Sequence, residues 1–304
     1  MHLGNARTFL VAWLANRKAG GQMVLRIEDI DRQRVLPQGE QGLLEDLRWL
    51  GLDWDEGPDG GGAHGPYRQS ERFALYREAL EKLRQAGRAF PCACSRAELE
   101  GIASAPHNDG DGPAYPGTCR DRDEAEVVAR AKKLGRNVAW RFRADGVPLT
   151  FSDAVFGPQQ KVADDFVLMR ADGVPSYQLA VTVDDLAMGI TQVVRGADLL
   201  GSTARQLALM NVLGGTAPGY AHVPLVLSPE GTRLAKRNRP TALRELRQQG
   251  HSAAVLRAQL CHSLGLPCGE AVEASEIADG FAFDRLSTQE WCATFDNAPV
   301  KGVS

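Results

Sequence analysis

No stretch of this 304-residue chain approaches the ~20 consecutive apolar residues that a membrane-spanning helix needs. No export signal opens it either: Met1 leads directly into polar, helix-like sequence, so a cytoplasmic protein with no membrane partner is expected. Positive charge is not in excess. Thirty-five Lys and Arg against 38 Asp and Glu give a formal net charge of −3, which excludes attraction to nucleic acid by bulk charge but leaves room for a local basic face. Cysteine is scarce, six in all, and without an export signal these argue against a disulfide framework. No internal repeat is found, which excludes a solenoid. What remains is a globular chain, 43% hydrophobic and 24% charged, long enough for two domains.

Helical spacing predicts a helix from Ala6 to Lys18, with Phe9, Leu10, Trp13 and Leu14 on one face and Gly20-Gly21 as its stop. Met23 to Ile27 reads as a short strand running into the acidic cluster Glu28, Asp29 and Asp31. Helices are expected over Gln38–Gly51 and Glu71–Gly87, separated by a Gly-rich loop. Residues 88–172 lose this βα alternation and read as an inserted domain, with Ala139–Arg143 as an alternating strand. An apolar run from Ser176 to Val183, a strand from Ile190 to Val194 ending at Arg195, a helix from Ser202 to Leu213 and a strand from Val223 to Leu227 then restore the alternation. Beyond Thr241 the pattern is helical to about Leu264. The expected fold class is α/β: a Rossmann-like, doubly wound parallel sheet formed by residues 1–87 and 173–228. The insert spans 88–172, and a loop and helical region spans 229–304.

Two short segments carry chemistry. His2-Leu3-Gly4-Asn5 stands at a helix start, where glycine permits close approach and the helix N-terminus favours phosphate. Arg233-Leu234-Ala235-Lys236-Arg237 is a compact cationic loop suited to a pyrophosphate leaving group. Together they read as two halves of an ATP site. The run Arg233–Arg247 also holds six basic residues against the single acid Glu245, a patch suited to RNA phosphates. Within the insert, Cys92, Cys94 and Cys119 could supply three thiolates to a tetrahedral Zn²⁺. Chemistry alone leaves the fourth ligand open between His107 and Tyr115.

These segments resemble class I aminoacyl-tRNA synthetases of the glutamyl branch. His2–Asn5 is similar to the HIGH motif and Leu234–Arg237 to the KMSKS motif, with Ala235 where Ser is common. Leu25-Arg26-Ile27-Glu28-Asp29, Tyr67-Arg68-Gln69-Ser70-Glu71-Arg72, Tyr177-Gln178-Leu179-Ala180, Val183-Asp184-Asp185 and Arg195-Gly196-Ala197-Asp198 follow the branch's pattern over roughly residues 1–239.

The resemblance implies ATP-dependent activation of L-glutamate. It assigns His2, Asn5 and Lys236 to catalysis, with His2, Gly4 and Lys236 on ATP, which Mg²⁺ would accompany. Glu28 would take the ammonium, Arg195 a carboxylate and Tyr177 a hydroxyl contact. Cys92, Cys94, Tyr115 and Cys119 would hold one structural Zn²⁺ per chain, His107 being the alternative to Tyr115. About 65 residues follow the basic loop, too few for a second, anticodon-reading domain. This points to the short members of the branch, which transfer glutamate to the queuosine base in the anticodon loop of tRNA(Asp); a monomer is expected. The alternatives are a truncated enzyme acting on a tRNA 3′ end, a non-catalytic tRNA- or partner-binding relative, and, more remotely, a small-molecule adenylating ligase. The family's strand and Arg-Phe-Ala-Pro-Ser-Pro-Thr-Gly-like segment before the HIGH motif are not in this sequence. Taken as complete, it is expected to activate glutamate weakly or not at all and to have a destabilised sheet.

Overall fold

Helix α1 spans Leu3–Lys18 and begins a turn earlier than its composition predicts. The reason is His2, which stands in extended conformation at the N-cap and accepts the Asn5 N–H on Nδ1 at 3.3 Å. This is a computed structural model, and it describes residues 1–31, 39–95, 97–99, 115–228, 231 and 242–292. Leu3, Leu10, Val11 and Leu14 bury one side of α1 in an apolar cluster that also takes in Leu44 and Leu47 of α2 (Gly39–Trp49). Each such leucine contributes about 1.5–3 kcal/mol on transfer from water.

The strand expected over Met23–Ile27 does not form. Val24 and Ile27 make isolated parallel bridges, to Glu56 and Arg68 respectively. The partner segments belong to different parts of the loop between α2 and α3 (Phe73–Gln85), so no ladder can propagate. That loop is tightly built around Glu56, whose carboxylate accepts the Tyr67 hydroxyl at 2.5 Å and the His64 N–H at 3.1 Å. Gly62 lies over it at φ +138, and a Cβ there would come within 2.5 Å of both Glu56 Cγ and Tyr67 Oη. Gly62→Ala is therefore expected to destabilise the protein by about 2–4 kcal/mol through backbone strain and overpacking, read as a fall in the denaturant midpoint. An unchanged midpoint would contradict this packing.

Beyond α3, β1 (Ala89–Cys92), α4 (Glu124–Lys133), β2 (Ala139–Phe142), the hairpin β3 (Pro148–Asp153) and β4 (Gly157–Val162), and β5 (Val167–Met169) follow in order. Strands β1, β2 and β5 form an antiparallel sheet in the order β1-β2-β5. Then come α5 (Tyr177–Ala187), β6 (Gln192–Gly196), α6 (Ser202–Leu213), β7 (Gly219–Val223) and β8 (Val226–Leu227). The apolar run at Ser176 is thus a helix start, capped by the Ser176 hydroxyl accepting the Leu179 N–H.

A second sheet runs β4-β3-β7-β6. It is mixed, not wholly parallel: β6 and β3 each pair parallel with β7, while β4 pairs antiparallel with β3. The hairpin lies in sequence within the expected insert, yet its Asp153 pairs with Tyr220 of β7. The single strand expected from Val223 to Leu227 is two strands, because Pro224 has no N–H to continue a ladder. The Pro224 carbonyl instead accepts Nη1 of Arg7, whose Nη2 donates to the Ser263 carbonyl. Burial without an anionic partner lowers the Arg7 pKa to about 10.

Helices α7 (Leu243–Gln248), α8 (Ala253–Ser263) and α9 (Ala274–Ala278) follow, and β9 (Trp291–Cys292) pairs with β8. Leu243, Leu246, Leu256, Leu260 and Leu264 join the apolar cluster of α1 and α2, so this region shares its core with the start of the chain. A second core gathers Tyr76, Leu83, Phe142, Leu168, Leu179 and Leu209. No described helix is long and apolar enough to cross a membrane.

Candidate active site

The N-terminus of α1 brings His2 and Gly4 together. A Cβ on Gly4 would stand 3.2 Å from the imidazole of His2, so a side chain at residue 4 would crowd the ring over the first turn. Asn5 contributes its backbone N–H to this arrangement. Lys236, with Arg233 and Arg237, lies outside the described residues, as does His107.

Tyr177 is the first residue of α5, which packs on α6, and Arg195 lies on β6, paired in parallel with β7. Burial first, then the nearby charge of Glu28, pushes the Tyr177 phenol up to about 12, with Arg195 pulling the other way. Tyr177 therefore lies near both Glu28 and Arg195, although 28, 177 and 195 are far apart in sequence. A phenol so shifted keeps its proton throughout the neutral range and can donate it.

Glu28 and Arg195 do not pair with each other. Glu28 is 44% exposed at its side chain and meets Arg26 Nη2 at 3.2 Å. Arg26 also contacts Asp185 Oδ1 at 2.8 Å and Asp184 Oδ2 at 3.6 Å. Burial opposes the Arg26 charge, but the three carboxylates together hold its pKa above the ordinary value. Burial raises the Asp185 carboxyl, with Arg26 opposing. Asp184 is fixed behind it by Gln69 Nε2 at 2.8 Å, Arg72 Nε at 2.6 Å and the Tyr76 hydroxyl at 2.9 Å.

Arg195 is buried among neutral acceptors. Its Nε donates to His222 Nε2 at 3.0 Å, Nη1 to Gln206 Oε1 at 2.7 Å and Nη2 to Thr203 Oγ1 at 2.8 Å. No carboxylate among the described residues forms an ion pair with it. A guanidinium has five N–H donors, and with Tyr177 also within hydrogen-bonding reach of Arg195 one remains. A desolvated cation with a donor to spare is suited to a carboxylate ligand, and Glu28 nearby is suited to an ammonium.

In the insert, the Sγ atoms of Cys92, Cys94 and Cys119 lie within 4.8 Å of one another, with Cys94 and Cys119 at 3.7 Å. Tetrahedral zinc with Zn–S bonds of ~2.3 Å requires S···S separations of about 3.8 Å, so the thiols fit that ion. Tyr115 adjoins them: its hydroxyl donates to Cys92 Sγ at 3.4 Å and accepts the Cys119 N–H at 2.7 Å. Burial tends to raise the Cys92 thiol, but Tyr115, the Cys94 N–H and Arg141 outweigh it and lower its pKa. Burial and the two neighbouring thiols push Cys94 up to about 12. Arg141 stacks over the Tyr115 ring at 4.0 Å.

Several residues of this region escaped the sequence reading. Asp153, His222, Gln206 and Thr203 form the surroundings of Arg195. A histidine in the apolar run Tyr220-Ala221-His222-Val223 was a signal, since a strand interior rarely holds one without a partner.

The profile of the family described as tRNA synthetases class I (E and Q), catalytic domain, matches residues 1–296. The chain is 52% identical over 291 residues to the glutamyl-Q tRNA(Asp) synthetase of Symbiobacterium thermophilum, covering 94% of this chain and 90% of that one. It is 44% identical over 294 residues to glutamate–tRNA ligase 2 of Acidithiobacillus ferrooxidans, covering 94% of this chain but 60% of that protein. Among solved structures, the glutamate–tRNA synthetase of Elizabethkingia anophelis superposes with a TM-score of 0.83 at 30% identity, over 97% of this chain and 66% of that one.

Proposed function

The chain belongs to the class I tRNA synthetases (E and Q), and on that basis we propose that it activates L-glutamate with ATP and transfers the glutamyl group to the queuosine base in the anticodon loop of tRNA(Asp). The observation that carries the glutamate reading is Arg195: a buried guanidinium surrounded by neutral groups, with an N–H left for a carboxylate. The Tyr177 hydroxyl adds a donor beside it, and Glu28 takes the substrate ammonium.

In this reading the α-carboxylate of glutamate attacks the α-phosphorus of ATP and pyrophosphate leaves. The nucleophile is already ionised, so no side chain has to act as a general base; catalysis is positioning and charge stabilisation. His2 and Gly4 at the start of α1 admit the nucleotide, with Asn5 setting the turn. Lys236 meets the leaving phosphates, with Mg²⁺ accompanying ATP. Cys92, Cys94, Cys119 and Tyr115 would hold a structural Zn²⁺; with four protein ligands it leaves no position for substrate and serves to fix the insert. The higher identity to the S. thermophilum protein, 52% against 44% for the A. ferrooxidans ligase, supports the queuosine acceptor.

The transfer step is tested with labelled glutamate and the full-length protein. Label is expected on tRNA(Asp) that carries queuosine and not on the same tRNA with guanine at that position. Label that appears equally on both, or that depends on an intact 3′ end, would contradict the queuosine assignment.

A further inference from the structure

Arg195 and His222 are register partners across the parallel β6–β7 ladder. The Nε–H of Arg195 points at His222 Nε2, 3.0 Å away. A guanidinium has only donors, so that nitrogen carries no proton. The proton of the ring then sits on Nδ1 and is donated to Asp153 Oδ2 at 2.6 Å. Asp153 is fixed in turn. Its Oδ1 accepts the backbone N–H groups of Val155 at 3.0 Å, Phe156 at 2.9 Å and His222 at 3.3 Å. Burial would raise this carboxyl, yet the His222 proton and the backbone donors keep it below the ordinary carboxylate range. Asp153 and His222 are both fully buried at their side chains.

This chain of contacts does two things. It fixes the tautomer of His222, which in turn pins the Nε edge of Arg195 and orients the fork against Gln206 and Thr203. It also places a neutral ring between Asp153 and Arg195. A carboxylate in direct contact would neutralise the guanidinium, whereas one held a ring away leaves that charge for a ligand.

We propose that Asp153 and His222 are positioning residues that set the orientation and the available charge of Arg195 for the substrate carboxylate; this rests on the glutamate-activating reading above. The hairpin β3–β4 thereby reaches the glutamate site through its last β3 residue.

Two substitutions separate this role from a merely structural one. In His222→Gln the longer side chain can bring an acceptor to the Nε2 position and serve Arg195. In His222→Asn the amide N–H can serve Asp153 but falls short of Arg195. The KM for glutamate in ATP–pyrophosphate exchange is expected to rise about tenfold to a hundredfold in His222→Asn, the loss of a hydrogen bond to a charged group. It is expected to stay within about threefold of wild type in His222→Gln, with the KM for ATP unmoved in both. The proposal is overturned if His222→Asn keeps the wild-type glutamate KM, or if the KM values for ATP and glutamate rise together. Nitrogen NMR on the unmodified protein gives a measurement independent of folding of the variants: His222 should show a bare Nε2 and a protonated Nδ1 at neutral pH, and a proton on Nε2 would overturn the proposal. Absence of glutamate-dependent exchange in the wild type would instead refute the glutamate reading itself.

Discussion

Arg195→Lys is expected to raise the KM for glutamate by up to about a hundredfold, since losing a buried hydrogen bond to a charged group costs about 1.5–3 kcal/mol. Lysine keeps the charge, so an explanation by bulk electrostatics predicts little change. The geometry predicts otherwise. Arg195 serves His222, Gln206 and Thr203 from three different nitrogens in one plane, and an ammonium has neither the reach nor the fork to replace them. An ammonium drawn to those acceptors is withdrawn from the ligand, and any acceptor it leaves is buried without a donor. Steady-state exchange kinetics read the first effect, with the KM for ATP expected to move little; thermal melting reads the second. A glutamate KM within a few fold of wild type would remove Arg195 from the carboxylate site.

Cys119→Ser is expected to abolish stoichiometric zinc and to lower the melting temperature by about 10 °C, taking a loss of about 3–5 kcal/mol at roughly 2–4 °C per kcal/mol for a chain of this size. The third core is small, with Val127 and Ala131 packed beside Cys92 and Cys119, and it has little apolar area with which to replace a metal. A chelator should reproduce the effect in the wild type, and added zinc should reverse it there but not in the variant. Exchange activity is expected to fall less than stability, because the thiols belong to the insert's own small core. Elemental analysis finding well under one zinc per chain in the wild type would contradict the metal assignment.

The parts of this protein that were legible in its sequence are those set by local rules. Helix α6 begins and ends at Ser202 and Leu213 as its spacing predicts, and α3 buries Tyr76, Leu80 and Leu83 at the predicted helical interval. Met23–Ile27 misled because strand-like composition says nothing about whether a straight partner exists; here the partners are two pieces of a loop. The break at Pro224 was a local signal, a missing donor within an apolar run. The proximity of Glu28, Tyr177 and Arg195 came from motif resemblance alone, since no local spacing brings residues from a loop, a helix start and a strand together. The pairing of Asp153 with His222 lay beyond both routes, although a histidine in an apolar run was a signal. Their contact depends on a single parallel register pair between β3 and β7, a long-range pairing that hydrophobic alternation does not encode.

The central claim is that this site activates glutamate, and ATP–pyrophosphate exchange by the full-length protein in the absence of tRNA tests it most directly. The account predicts exchange that depends on L-glutamate, is weak with glutamine, whose side chain lacks the second carboxylate, and is lost in Arg195→Lys at ordinary glutamate concentrations. No glutamate-dependent exchange at saturating glutamate and ATP, with or without tRNA, would contradict it.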